Sequence, residues 1–192
     1  MDVYLGVDLS ASRRRKSAYA LLYEDLSCKA GFFSGDDELV ALAEEYSPRV
    51  VGIDAPLSFP KGGRLRGCDK ALLRLGVKVF SPVFSGMLEL TSRGIKLKEA
   101  LEERGFEVIE VYPGGSQDLL GIPRKSRNKK GLLEGLRSLG VKFEETLQGD
   151  ILDAITAAFT SYAYAVGEYI LVSSEDCRLI LPSPTLRPSR RA

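Results

Sequence analysis

Four aspartates stand at places where a chain rarely needs an acid. The stretch Val50 to Asp54 (VVGID) is a strongly apolar run that ends on a carboxylate and turns at once into Ala55-Pro56. The stretch Val3 to Asp8 (VYLGVD) ends the same way, and Asp150 and Asp153 in DILDA open an alanine-rich segment. Acids three apart share one face of a helix. Carboxylates brought together repel one another and resist ionisation until a cation compensates them. Mg²⁺ and Mn²⁺ are the natural cations for oxygen donors. Two such ions ~3.5–4 Å apart support in-line phosphodiester cleavage with no histidine base. The chain contains no histidine at all, which removes histidine-based triads and zinc sites. Hydrolytic chemistry here has to rest on carboxylates, metals, Ser, Lys or Tyr.

Each acid also has a plainer reading. Asp150 suits a helix N-cap, with Asp153 favourable near the positive helix end. Asp8 before Leu9-Ser10 suits a turn, and Asp54 before Ala55-Pro56 can cap a loop. Glu110 in VIEVYP either faces solvent by alternation or joins the acidic shell. The joint pattern is harder to dismiss than any single member, provided the fold gathers its members.

The elements that would do so are legible. Strands are predicted at Val3 to Asp8, Ser17 to Tyr23, Leu26 to Phe33, Val50 to Asp54 and Glu107 to Tyr112. Helices are predicted from Asp36 or Asp37 to Glu45, briefly near Asp69 to Leu75, and at Lys96 to Arg104, Lys130 to Leu139 and Asp150 to Val166. A small hairpin is expected from Tyr169 to Val172 and Leu179 to Leu181. This order specifies an α/β fold, a mixed five-stranded sheet flanked by helices, with three antiparallel strands followed by two parallel ones. Val50 to Asp54 is continuous rather than alternating, as both-face burial requires. Ligands gather at the carboxyl ends of such strands, where Asp8 and Asp54 would be neighbours.

At 192 residues, with 44% hydrophobic and 28% charged residues and a net charge of +1, the chain reads as one globular domain. We place it at 1–184, with an insert at about 61–93 and a flexible basic tail at 185–192. No apolar run approaches the ~18–20 residues of a membrane span. No secretory leader pattern precedes the first strand. The three cysteines are odd in number and far apart, with no spacing for zinc or a disulfide framework. These features point to a reducing cytoplasm. Asn128, Gln117 and Gln148 are the only side-chain amides. That scarcity, beside many Glu, Lys and Arg, points to a heat-adapted source.

On GVD (Asp8), VGID (Asp54) and DILDA (Asp150, Asp153) the chain resembles the RNase H-like superfamily, and within it the RuvC-type junction resolvases. The segments GIDAPLSFP, RLRGCDKALLRLG, SPVFSGM, VIEVYPGG and ILPSP resemble more closely a prokaryotic family of predicted RNase H-fold nucleases. The resemblance implies an RNase H-like fold over about Val3 to Pro184. It implies metal-dependent nuclease activity at Asp8, Asp54 and Asp153, with Asp150 or Glu110 assisting and two Mg²⁺ or Mn²⁺ ions bound. Its partner would be DNA or RNA, and resolvases act as homodimers. One departure is that Asp54 replaces the Glu usual at that strand, which makes the second acid one methylene shorter.

Substrate contacts are expected from the insert and the basic loop. Arg64, Arg66 and Arg74 suit phosphate, and Lys125, Lys129 and Lys130 suit backbone contacts. Clusters at Arg13 to Lys16 and at Arg190-Arg191 also read as solvated loops. Asp69 reads as a helix cap. Phe80, Phe84 and Met87 read first as core and second as base-stacking residues. Two rival readings remain: a non-catalytic nucleic-acid or protein-binding module, and a phosphotransferase of the actin-like and sugar-kinase type.

Overall fold

A computed structural model of the protein describes residues 1–12 and 14–186. Its strands are β1 (Val3–Asp8), β2 (Ser17–Tyr23), β3 (Cys28–Phe33), β4 (Val50–Asp54), β5 (Val108–Val111), β6 (Tyr169–Ser174) and β7 (Cys177–Pro182). Its helices are α1 (Asp36–Tyr46), α2 (Gly67–Arg74), α3 (Ser85–Glu102), α4 (Pro113–Leu120), α5 (Lys129–Ser138) and α6 (Gly149–Ala165). The strands form one mixed sheet in the order β3-β2-β1-β4-β5-β7-β6. The hairpins β1-β2-β3 are antiparallel, and β4 and β5 extend the sheet in parallel from β1.

The sheet has seven strands rather than five, because the terminal hairpin does not stand alone. β7 pairs in parallel with β5 and antiparallel with β6. The cause is burial: Leu179, Ile180 and Leu181 are all nearly inaccessible, which a free hairpin could not achieve.

Alternate residues of β1 and β2 feed two cores. Tyr4, Ala18, Ala20 and Leu22 pack under α5 and α6. Val3, Leu5, Val7, Val51 and Ile53 pack under α1 and α3. Helix α6 comes unusually close to the sheet. A Cβ on Gly6 would lie 2.1 Å from the Ala158 amide nitrogen, and one on Gly52 would lie 2.4 Å from Ser161 Oγ. Gly6 and Gly52 are register partners on β1 and β4. Only glycine at both positions lets the α6 backbone rest on the strands and brings its acidic first turn over their ends.

Two helices depart from the sequence expectation. α3 begins at Ser85, not Lys96. Gly86 and Gly94 mask its periodicity, and Gly94 sits where α3 crosses the loop after β4, a Cβ there lying only 3.1 Å from the Pro56 carbonyl oxygen. α4 was hidden behind Pro113, which reads as a strand terminator. Here proline is the first helical residue, where its missing N–H costs nothing, and Gly121 closes the helix in the left-handed region. The tail does not begin at Thr185, since Leu186 is buried in the α5–α6 core. Arg13 and the tail arginines Arg190-Arg191 lie outside the described residues.

Cys68 and Cys177 form a disulfide across 109 residues, tying α2 to the start of β7, while Cys28 stays free. This corrects the thiol-only expectation. Sequence spacing is blind to it, because the partners meet only through the fold. Reduction is expected to cost about 2–4 kcal/mol and lower the melting midpoint by roughly 5–15 °C from an oxidised value above about 65 °C. Alkylation followed by intact-mass measurement, beside melts with and without reductant, checks this. Three alkylatable thiols in the untreated protein would refute the bridge.

Candidate active site

Asp8 and Asp54 are paired residues at the adjoining carboxyl ends of β1 and β4. The first turns of α6 bring Asp150 and Asp153 to the same place. The loop between α4 and α5 adds Lys125. Its Nζ lies 2.8 Å from Asp150 Oδ1, 2.8 Å from Asp153 Oδ2 and 3.3 Å from Asp8 Oδ2. A lysine ammonium therefore joins Asp8, Asp150 and Asp153, and Asp54 stands beside Asp8 on the neighbouring strand.

The electrostatics follow from crowding. Burial pushes the Asp8 carboxyl up to about 7, with Asp153 and Asp150 adding to the rise and Lys125 opposing it. Asp54 is held well above the ordinary carboxylate range by burial and by the Asp8 and Asp153 charges. Among the described residues no donor is hydrogen-bonded to Asp54. Burial disfavours charge on Lys125, but Asp8 and Asp153 outweigh it and keep the ammonium protonated far above neutrality. A site that raises two acids and retains a cation is one short of positive charge.

Asp153 is set by a residue that sequence reasoning passed over. The buried Gln117 of α4 donates from Nε2 to Asp153 Oδ1 at 2.8 Å and lies 3.1 Å from Thr156 Oγ1. In a chain almost without amides, a glutamine just after VYPGG was the available signal. Arg93, also unpredicted, is buried and donates to Ser10 O, Ser17 Oγ and Asp36, which steadies the chain leaving Asp8.

Glu110 and Arg66 occupy roles other than those the sequence suggested. Glu110 points neither to solvent nor into the acidic shell. It is buried, with its oxygens 2.6 and 2.7 Å from Arg66, and it accepts the Leu57 amide at 2.8 Å. Arg66 also grips Asp69, which both pairs with it and caps α2. Arg66 is thus sealed inside an ion triad and is not a phosphate contact. The triad clamps the loop that leaves Asp54. Arg64 and Arg74 are exposed at the two ends of α2, and Lys129 and Lys130 are exposed at the start of α5. Lys129 Cε comes within 3.5 Å of where a Gly149 Cβ would stand, so it flanks the head of α6. Phe80 and Phe84 are not core residues, being 73% and 66% exposed.

As to a metal, the donors fit in kind, since carboxylate oxygens suit Mg²⁺ or Mn²⁺. They do not fit in spacing as they stand. Among the described residues no three acids are grouped to hold an ion, and the point they surround holds Lys125. A larger cavity of about 510 Å³, where β5 and β7 meet, is lined by none of the four aspartates.

A family model described as "Protein of unknown function (DUF429)" matches residues 6–176. No curated protein sequence matches the chain. Among solved structures, RuvC of T. thermophilus in complex with a Holliday junction substrate superposes with a TM-score of 0.56 at 12% identity. The match covers 92% of this chain and 99% of that one. At that identity the likeness establishes a RuvC-like, RNase H-type fold. Among the described residues no helix is long and apolar enough to cross a membrane.

Proposed function

The chain belongs to the DUF429 family, and from its acidic centre we propose that it is a metal-dependent nuclease that hydrolyses phosphodiester bonds of DNA or RNA. The observation that carries this reading is that Asp8 and Asp54 stand side by side at the strand ends while one ammonium, that of Lys125, joins Asp8 to Asp150 and Asp153. Asp8, Asp54 and Asp153 would hold Mg²⁺ or Mn²⁺, two ions in the fullest form, and Asp150 would assist. Bound there, the ions would supply an activated water and a Lewis acid for the leaving oxygen.

The chain's own residues do the rest. Gln117 orients Asp153, and the Arg66–Glu110–Asp69 triad orients the loop after Asp54. Lys125 neutralises Asp8, Asp150 and Asp153 as the site stands, and with a divalent ion in its place it would be free to meet a substrate phosphate. Arg64, Arg74, Lys129 and Lys130 offer exposed charge for the backbone. A single domain that extends to Leu186, a cytoplasmic setting and a homodimer belong to this same reading.

The position of Lys125 favours one rival, a nucleic-acid-binding module whose acids are neutralised internally. The two readings part on a single variant. Lys125→Gln is expected to tighten Mn²⁺ binding about tenfold or more, because removing a competing charge from between three carboxylates is worth at least ~1.4 kcal/mol. Calorimetric titration checks this. Saturable Mn²⁺ binding in neither protein, with nucleic-acid affinity indifferent to Asp153→Asn, would favour the module.

A further inference from the structure

Next to the acidic centre lies a cavity of about 220 Å³ whose lining includes Asp8 and Asp54. The rest of its lining is mostly hydrocarbon and ring: Leu72, Val79, Phe80, Met87, Leu90 and Tyr112. The polar groups on its wall are already engaged. Arg66, Asp69 and Glu110 bind one another. The Tyr112 hydroxyl donates to the Lys78 carbonyl and accepts from Arg124. The cavity therefore offers two carboxylates together with an apolar, partly aromatic wall.

The wall that presents Phe80 is built rather than loose. The Tyr112 hydroxyl holds Lys78, Ser81 Oγ donates to the Arg64 carbonyl at 2.6 Å, and Thr91 Oγ1 donates to Pro82 O at 3.1 Å. Phe80 is nonetheless 73% exposed, and Phe84 beyond it is 66% exposed. A fixed loop that holds a ring in solvent at the edge of an apolar slot presents a stacking surface.

A ligand matching this shape has a flat, weakly polar body joined to an anion that reaches the metal-binding acids. We propose that the cavity takes one unpaired nucleobase, stacked on Phe80 and seated against Met87 and Leu90, while the adjoining phosphodiester lies at Asp8 and Asp54. This rests on the nuclease reading and narrows its substrate. The preferred nucleic acid carries an unstacked nucleotide at the scissile bond, as single strands, bulges and branch points do. A base inside a continuous duplex cannot enter the slot without being drawn out of the stack.

The test uses the full chain with Ca²⁺ in place of Mg²⁺ or Mn²⁺, so that the acidic centre can carry a divalent ion while binding is read without cleavage. The probes are a duplex with one bulged 2-aminopurine and the same duplex fully paired. Binding is followed by anisotropy and by aminopurine emission. Expected are at least about tenfold tighter binding of the bulged form and a changed emission. Phe80→Ala and Met87→Trp should abolish that preference while leaving affinity for the paired duplex intact. Equal affinity for both duplexes, or a preference that survives both variants, overturns the base pocket and leaves the nuclease reading standing. Absence of binding to either duplex and to a single strand overturns the nuclease reading itself. Light scattering on Phe80→Ala completes the test. An assembly that dissociates in that variant would assign the ring to a contact between copies and overturn the pocket.

Discussion

Asp54→Asn is expected to lower nucleic-acid cleavage by about 10³-fold or more, roughly 4 kcal/mol in barrier, and to raise the melting point of the metal-free protein. The two effects share a cause. Asp54 sits where burial and the Asp8 and Asp153 charges penalise its ionised form. Asparagine preserves its size and removes the charge a metal would need. The unfolded carboxyl titrates near 3.8 and the folded ones higher, Asp8 at about 7. Below the unfolded value both states are protonated, and stability is greatest. As pH rises through the folded values, the folded acids must ionise against their surroundings, and stability falls. The wild-type protein without metal should therefore lose stability between about pH 4 and pH 7 and beyond, and the variant should lose less. Cleavage assays beside melts at pH 5 and pH 8 in EDTA read both effects. Unchanged turnover would remove Asp54 from the site. A variant less stable than wild type at pH 8 would contradict the electrostatic account.

Arg66→Met is expected to destabilise the protein by about 3–5 kcal/mol, since it leaves Asp69 and Glu110 buried without their shared counter-ion. For a chain of this size that lowers the melting point by roughly 10 °C or more. Arg66 is 2% exposed, and its guanidinium bridges both carboxylates within 2.9 Å. Had it been a phosphate ligand, as its place in RLRGCDK suggests, its removal would weaken substrate binding with little effect on folding. The triple replacement Arg66→Met, Asp69→Leu, Glu110→Leu separates the effects. It should recover most of the stability, because it leaves no charge unpaired. It would still lose the Glu110 bond to the Leu57 amide, and with it the setting of the Asp54 loop. Chemical denaturation of the single and triple variants measures this. A loss below about 1 kcal/mol for the single variant would mean the triad is not what holds the loop.

These two residues show where sequence legibility ends. Asp54 was readable because its anomaly is local: an apolar strand that stops on an acid states its own question. Asp8, Asp150 and Asp153 shared that property, and parallel β1-β4 pairing with α6 laid on glycines was enough to gather them. Arg66 and Glu110 carry no such local mark. An arginine beside glycines in a polar segment looks like a phosphate contact. Only a partner 44 positions away converts it into a buried clamp. Lys125 is a similar case, since a lysine in a basic loop does not reveal that its ammonium fills the acidic centre. The disulfide and the joining of the terminal hairpin to the main sheet were hidden for the same reason.

The sequence by itself determined the α/β order of elements, the absence of histidine chemistry and the four aspartates at strand and helix ends. Periodicity and local anomaly suffice for these, because each is written within a few consecutive residues. Tertiary structure alone decided which charges face the centre and which neutralise one another. Burial and pairing are properties of neighbours in space, and a charge changes its role entirely according to whether the nearest opposite charge belongs to the protein or to what it binds.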